Sequence, residues 1–453
     1  MFFMDISGQR MLVIGWGKTG VASARFLISR GARVVVADEK NLSLENDVLS
    51  KLGEDHGQSV ELADYGISAL AQVDAVVPSP GVPPFHPVLK EAVKRCIPVI
   101  SELELACRYL QTPMIAITGT NGKTTTTSLI GEILSGSGRK VFVGGNIGTP
   151  LVEYVTGPQT ADCAVVEISS FQLQWVDQFH AFVSILLNTT CDHVNYHGSF
   201  EAYRAVKERI FNNQGKQDVA ILNADEPDSA VLAESLSSPV FFFSTTKMVE
   251  RGLYQEKDRL ICLDGEGKQE FYPLSMIRLP GAHNVENVMA AILASRACGC
   301  SPENVINAIS GFSGIAHRIE FTREIGGVKF YDDSKGTNVG AVKRAIETFS
   351  DPIILLMGGR DKDGDFETLS ALLQDRVKAL VIFGEARERI QERIGGIVPT
   401  VLTPSLKEAI AAARRQACAG DVVLLSPGCA SFDEFADYKA RGRFFKEEVR
   451  AFA

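Results

Sequence analysis

The 453-residue chain lacks any apolar run approaching the roughly 18 residues that cross a bilayer, and it turns polar within a few residues of Met1. A soluble protein without a signal peptide is the expectation. Paired cysteines are also scarce. The nine cysteines are scattered, and the one close pair, Cys298-Gly299-Cys300, has the wrong spacing for a zinc knuckle. Free thiols in a reducing cytoplasm fit that pattern. Positive charge is in deficit, 46 Lys and Arg against 55 Asp and Glu for a net charge of −9. That balance excludes a chain built to coat nucleic acid or anionic membrane, although local basic sites for phosphate remain possible. No repeat of about 20 to 50 residues and no low-complexity tract is present. What remains is ordinary globular material, 45% hydrophobic and 22% charged, long enough for about three domains.

Short β-branched runs, each followed by a Gly-rich turn and a segment of helical period, recur along the chain and predict βαβ units with parallel sheets. Met11 to Ile14, Arg33 to Ala37, Asp74 to Val77 and Ile97 to Ile100 form a first series, read as a small doubly wound domain. A second begins at Met114 to Thr118 and continues through residues 141–143, 163–168, 181–188, 218–223 and 239–243. Alternating stretches around Asp264-Gly265-Glu266-Gly267 suggest an antiparallel hairpin added to this sheet, followed by a helix from about Val285. The third series is 328–331, 352–357, 379–383 and 421–426. The expected fold is α/β with three domains, 1–101, 102–314 and 315–453.

Chemistry is concentrated in a few motifs. Gly119-Thr120-Asn121-Gly122-Lys123-Thr124-Thr125 follows an apolar strand and opens a helix. A Gly-rich turn there lets backbone N–H groups face phosphate oxygens, the helix N-terminus adds partial positive charge, Lys123 adds a cation, and Thr124 can ligate Mg²⁺. The loop is shorter than a strict Walker A motif, with Ile117 where the first glycine would stand. Gly15-Trp16-Gly17-Lys18-Thr19-Gly20, with Asp38 after the next strand, resembles a dinucleotide fingerprint. It fits a nicotinamide enzyme, a site for another nucleotide's diphosphate, or a structural tight turn. Two nucleotide motifs in separate domains favour two different nucleotides.

Glu167 ends an apolar strand, where a carboxylate can hold Mg²⁺ or make a cap or ion pair. Asp192-His193 follows another strand, and His197 lies four residues on. The intervening Val194-Asn195-Tyr196 reads as loop, which favours hydrogen-bonding histidines over a zinc pair. Asn284 and Asn287 fall on one helix face, facing adenine or phosphate, or Asn284 caps the helix.

Gly119 to Thr125, Glu167-Ile168-Ser169-Ser170, Asp192-His193, His283-Asn284 with Asn287, and His317-Arg318 occur in the order found in the Mur ligases of bacterial peptidoglycan synthesis, and the chain resembles that family over nearly its whole length. Asp332 to Asn338, Gly358-Gly359-Arg360-Asp361-Lys362 and Ser426 to Asp433 are similar to its D-glutamate-adding branch. The resemblance implies a Rossmann-like N-terminal domain for a UDP-sugar precursor, a central P-loop-type ATPase, and a Rossmann-like C-terminal domain for the amino acid. It implies a cytoplasmic, monomeric, ATP-dependent ligase that forms an acyl phosphate on UDP-N-acetylmuramoyl-L-alanine and joins it to D-glutamate.

By the same resemblance ATP meets Gly119 to Thr125, Asn284, Asn287, Arg318 and Asp333. Thr124 and Glu167 hold one Mg²⁺, His193 serves a second, and Mn²⁺ can replace them. Lys207 carries a CO₂-derived carbamate that positions the second ion; without the resemblance it reads as a solvated surface lysine. The catalytic set is Lys123, Glu167, His193 and Lys207. The UDP precursor is assigned Gly15 to Gly20, Asp38, Lys40, Ser79, Gly81 and Asn146, and D-glutamate is assigned Lys335, Thr337, Lys362, Ser431 and Tyr438. Tyr438 stands where the family can have Phe, and Asn195 where an Asp is expected. Arg318 and Asp333 reach the nucleotide only if the third domain closes, with hinges near 101 and 314. The alternatives are a sister ligase, a folylpolyglutamate synthase, an NAD-dependent oxidoreductase that leaves Gly119 to Thr125 idle, and a non-catalytic nucleotide-regulated binder.

Overall fold

The computed structural model describes residues 5–39, 52, 60–190, 192–265, 267–361 and 364–452. Lys40 and Lys362, both expected at binding sites, lie outside the described residues. The remaining strands and helices assemble into three sheets in sequence order.

The first sheet contains β1 (Arg10–Ile14), β2 (Arg33–Ala37), β3 (Glu61–Leu62) and β4 (Ala75–Pro78), all parallel in the order β3-β2-β1-β4. Met11 to Ile14 are completely buried, as expected of a strand covered on both faces. Strand order reverses around β1, so the turn after it opens at the switch point where such sheets bind ligands. The expected strand at Ile97 to Ile100 is instead a single bridge between Val99 and Val76, because Pro98 cannot donate to a ladder.

The second sheet contains β5 (Met114–Thr118), β6 (Val141–Gly145), β7 (Cys163–Glu167), β8 (Val183–Leu186), β9 (Val219–Asn223), β10 (Val240–Ser244), β11 (Gly252–Glu256), β12 (Arg259–Leu263) and β13 (Gln269–Pro273). Its order is β13-β12-β11-β10-β9-β8-β5-β7-β6, parallel from β6 to β11, with β12 and β13 antiparallel. β5 sits between β7 and β8, which brings the segments after all three to one carboxyl edge.

The third sheet contains β14 (Glu320–Ile325), β15 (Val328–Asp332), β16 (Ile353–Gly358), β17 (Val377–Phe383), β18 (Thr400–Leu402) and β19 (Val422–Gly428), ordered β14-β15-β19-β16-β17-β18. Antiparallel β14 was not expected from the sequence. It joins β15 through Gly326-Gly327, both at positive φ, the conformation a two-residue hairpin turn needs.

The chain divides into two compact units. One holds the described residues through Ile277 together with Glu286–Gly311, the other Arg278–Val285 with Phe312 onward. The first two sheets share the first unit because the helix Lys18–Ser29 packs Phe26 and Leu27 into the same apolar cluster as Leu103, Tyr109 and Val152. Fully burying each such side chain is worth about 1.5–3 kcal/mol. Glu102 reinforces this junction: its carboxylate accepts from Val152 N–H at 2.7 Å, at the start of the helix Leu151–Thr156. The second unit surrounds the third sheet with apolar clusters on both faces. Among the described residues no helix is long and apolar enough to cross a membrane.

Candidate active site

Gly119 to Thr125 forms the turn between β5 and the helix Lys123–Gly136. Gly122 is left-handed at φ +86 and caps the helix, and a Cβ there would lie 2.1 Å from Asn287 Oδ1. Asn287 therefore presses directly on the loop, and its Oδ1 also accepts a 3.4 Å hydrogen bond from Thr126. Asn188 Oδ1 accepts from Asn121 N–H at 2.9 Å and ties the turn to the end of β8. The geometry exposes a helix N-terminus, with Thr124 in its first turn, to an anion.

Two lysine side chains meet at this loop. Lys123 Nζ donates to Gly119 O at 2.8 Å and Thr120 O at 3.0 Å, while Lys207 Nζ donates to the same Gly119 O at 2.9 Å. Lys207 comes from the helix Phe200–Glu208 and is 1% exposed, so the solvated-surface reading is overturned. Burial first, and then the neighbouring Lys123 charge, hold its pKa well below the usual lysine range. Its Nζ lies 4.6 Å over the Tyr203 ring, and Tyr203 OH shares a 3.1 Å hydrogen bond with Thr120 Oγ1. Tyr203 was missed from sequence, although its position four residues before Lys207 places it on the same helix face.

His193 packs near Tyr203, their ring centroids 6.3 Å apart, and edge-on to Phe171 at 4.8 Å. The expected loop at 194–196 is instead a short helix, Val194–His197, preceded by His193 at φ +54. His197 Nε2 is hydrogen-bonded to Ser170 Oγ at 3.0 Å, so the pair is not arranged as a zinc site. Burial and the neighbouring His193 and Lys207 push His197 down to about 4, which keeps it neutral.

Glu167 is the residue that tests for a cation. It is 2% exposed, Asn146 Nδ2 donates to its Oε1 at 2.9 Å, and its Oε2 is buried with no hydrogen-bond partner. A lone buried carboxylate oxygen beside a phosphate loop suits Mg²⁺, which takes one or two carboxylates and completes its shell with phosphate and water. Among the described residues, three metal-capable side chains converge instead at His317, Glu320 and Asp332, where Lys446 Nζ already neutralises Glu320 at 2.8 Å. Asn146, assigned to the UDP precursor from sequence, is thus placed against Glu167.

The Gly15 to Gly20 turn is built for close backbone approach. A Cβ on Gly20 would lie 1.9 Å from Gly15 O, and Ser79 Oγ donates to that oxygen at 2.8 Å. Asp38 Oδ2 accepts from Trp16 N–H at 2.5 Å, so the acidic residue fixes the loop. Thr19 lies in the helix that Gly17 caps, and Lys18 Nζ donates to Gly148 O. Gly81 has open space where a side chain would go.

In the second unit, Asp333 Oδ2 accepts from Ser426 Oγ at 2.7 Å, and burial pushes Asp333 up to about 7 against the pull of Ser426 and Arg318. The alternative reading of Asn284 as a helix cap is overturned: the helix runs Ala282–Ala297, and Asn284 Nδ2 donates to Pro280 O at 2.6 Å. Lys335 Nζ lies 5.8 Å from the Tyr438 ring centroid. Thr337 follows on the same segment, and Ser431 is buried beyond β19. Gly428 N–H donates to Gly336 O at 2.8 Å, bringing these two segments side by side.

Three α/β sheets in this order, with a phosphate loop, a buried lysine and a cation-ready carboxylate at one sheet edge, define a nucleotide-dependent, metal-assisted enzyme. The family profiles agree: Mur ligase MurD-like N-terminal domain over residues 9–101, Mur ligase middle domain over 117–295, and Mur ligase glutamate ligase domain over 317–429. The chain belongs to the Mur ligase family, whose members are ATP-dependent, Mg²⁺-using enzymes that form C–N bonds. It is 44% identical over 451 residues to the UDP-N-acetylmuramoylalanine–D-glutamate ligase of Koribacter versatilis and 45% identical over 451 residues to that of Geotalea daltonii, each covering 99% of both chains. In fold it is similar to a pseudomurein peptide ligase type C from Methanothermus fervidus, with TM-score 0.60, 18% identity, and 98% and 99% of the two chains covered. The UDP-N-acetylmuramate–alanine ligase of Thermotoga maritima gives TM-score 0.59 at 19% identity and the same coverage.

Proposed function

We propose that this chain joins D-glutamate to UDP-N-acetylmuramoyl-L-alanine at the expense of ATP, in the cytoplasm, as a monomer in peptidoglycan precursor synthesis. The mechanism rests on one observation: buried Lys207 shares the Gly119 carbonyl with the phosphate-loop Lys123. The choice of D-glutamate rests on the full-length relatives.

A free carboxylate is a poor electrophile, so the γ-phosphoryl of ATP passes to the alanine carboxylate, and the D-glutamate amine then displaces phosphate. Both steps build negative charge on oxygen, which makes positioned cations and N–H donors the main requirement. The N-terminal turn of the helix Lys123–Gly136 faces the phosphates, and Lys123 turns from the loop carbonyls to them. Thr124 and Glu167 would hold Mg²⁺, which would supply charge neutralisation at the phosphates. A second ion, with His193 and a modified Lys207 as its protein ligands, belongs to the same reading, and Mn²⁺ satisfies the same oxygen donors.

Lys207 is prepared for carbamylation by its surroundings. Burial favours the neutral amine, whose lone pair can form an N–C bond to CO₂ while an amine proton leaves to solvent. The product places an anion where two ammonium groups would repel. Asn287 buttresses the loop from the adenine side. Asn284, Arg318 and Asp333 are assigned to the nucleotide, and Gly15 to Gly20, Asp38, Ser79, Gly81 and Asn146 to the precursor. Lys335, Thr337, Ser431 and Tyr438 are assigned to D-glutamate, for which two carboxylates call for a cation and hydroxyls.

Phosphate release with ATP, Mg²⁺ and UDP-N-acetylmuramoyl-L-alanine, offering D-glutamate, L-glutamate, L-alanine or meso-diaminopimelate in turn, tests the reaction. Turnover with D-glutamate alone is expected, and turnover with another acceptor alone refutes the substrate assignment. Lys207→Ala is expected to lose activity and to regain part of it with short carboxylic acids; full activity in this variant eliminates the carbamate.

A further inference from the structure

The candidate amino-acid pocket stands on three segments that leave the carboxyl ends of neighbouring strands: 333–338 after β15, 359–361 after β16 and 429–433 after β19. Beneath them lies Arg441, the largest of the fully buried side chains, from the helix Tyr438–Arg450. Its Nη2 donates to Ser334 O at 2.8 Å and Cys429 O at 3.0 Å. Those carbonyls immediately precede Lys335 and lie two residues before Ser431. Gly359 of the third segment leaves room for the guanidinium, since a Cβ there would lie 3.0 Å from Arg441 Nη1. Tyr438 is one helical turn before Arg441, so one side chain connects every segment carrying a described D-glutamate candidate.

The surroundings show how closely this helix is seated. A Cβ on Gly442 would lie 2.1 Å from His317 Nδ1 and 2.6 Å from Asp332 Oδ2, the two atoms of a 2.7 Å hydrogen bond. His317 O in turn accepts from Lys335 N–H at 3.0 Å. Arg441 Nε and Nη1 are buried without hydrogen-bond partners. Burial lowers the guanidinium only to about 10, so it stays charged at neutral pH, with the Asp433 and Asp332 carboxylates nearby. A buried cation with two unpartnered nitrogens is costly for stability alone, and apolar packing would serve a purely structural position better.

We propose that Arg441 is a positioning residue for the acceptor amino acid, its Nη2 holding the 334 and 429 segments at the spacing that lets Lys335, Ser431 and Tyr438 grip one ligand. The inference rests on the proposed use of this pocket for the amino acid. Both carbonyls are held by the one nitrogen Nη2, whose two N–H bonds lie in the rigid guanidinium plane and so fix the angle between the two segments, which the freely rotating ammonium of lysine does not. Displacements of about 1 Å in such a pocket cost on the order of a hundredfold.

The test measures steady-state kinetics of Arg441→Lys and Arg441→Ala, after circular dichroism and thermal melting of each, with every substrate varied separately. The expected result is a KM for D-glutamate raised at least about tenfold in Arg441→Lys, with KM for ATP and for the UDP precursor unchanged, and partial recovery of Arg441→Ala by millimolar methylguanidinium. If the wild type uses a different acceptor, the D-glutamate reading fails, and the same KM split is then expected for that acceptor. Equal rises in all three KM values, an unchanged acceptor KM, absence of rescue, or variants that no longer fold would each assign Arg441 to general stability and overturn the proposal.

Discussion

Replacing Gly122 by alanine should damage the first compact unit by two separable mechanisms. The residue sits at φ +86, where an L side chain costs about 1–2 kcal/mol. Its new methyl would also lie 2.1 Å from Asn287 Oδ1 and 3.2 Å from Leu187 Cδ1, an overpacking that costs about 1–3 kcal/mol. Gly122→Ala is therefore expected to lose about 2–5 kcal/mol. Asn287→Ala alone gives up a long hydrogen bond from buried Thr126, worth about 1 kcal/mol. The double variant keeps the backbone strain but escapes the Asn287 collision, so it should be about 1–3 kcal/mol more stable than the sum of the single losses. Urea unfolding followed by tryptophan fluorescence reads this directly, because the two tryptophans of the chain, Trp16 and Trp175, both lie in the first unit. Losses that add to within about 0.5 kcal/mol would refute the claimed contact.

The second unit should carry a pH signature from Asp333. Its folded pKa is raised to about 7 from 3.8, so the stabilisation it gives is complete below about pH 4 and is lost as pH rises through 7. Asp333→Asn cannot ionise and should flatten the fall in stability of this unit between pH 4 and 7 in scanning calorimetry; an unchanged slope would show that Asp333 does not titrate there. Glu167→Gln removes the anionic oxygen while leaving a side-chain oxygen for Asn146. The Mg²⁺ concentration for half-maximal activity should rise roughly ten- to a hundredfold, and an unchanged requirement would dissociate Glu167 from the metal.

Much of the architecture is legible in local pattern. Runs such as Val34 to Val36 and Ile353 to Met357 are apolar throughout because both faces of a parallel strand are covered, and each is followed by turn residues that locate its end. The β12–β13 hairpin is equally visible in its Asp264-Gly265 turn, with Leu263 paired to Gln269. Pattern fails where an element is short or half-exposed. β14 carries Arg323 and Glu324 on an edge strand, and β18 is only Thr400–Leu402, so neither shows enough periodicity. The helix Ala282–Ala297 begins earlier than its apolar run because Ala282 and His283 give no start signal.

The site divides along the same line. Sequence by itself located the Gly119 to Thr125 turn, its lysine, and the strand-end glutamate, since each depends on residues adjacent in the chain: glycines between a strand and a helix, a cation inside the first helical turn, a carboxylate at a strand end. Only the tertiary structure decided that Lys207 is buried with its pKa held low, that Asn146 faces Glu167 and leaves one oxygen unpaired, and that Arg441 ties two segments together. Encounters such as Asn146 with Glu167, 21 positions apart, and Arg441 with Ser334, 107 apart, arise from strand order, and strand order is set by the packing of whole sheets rather than by any short stretch of chain.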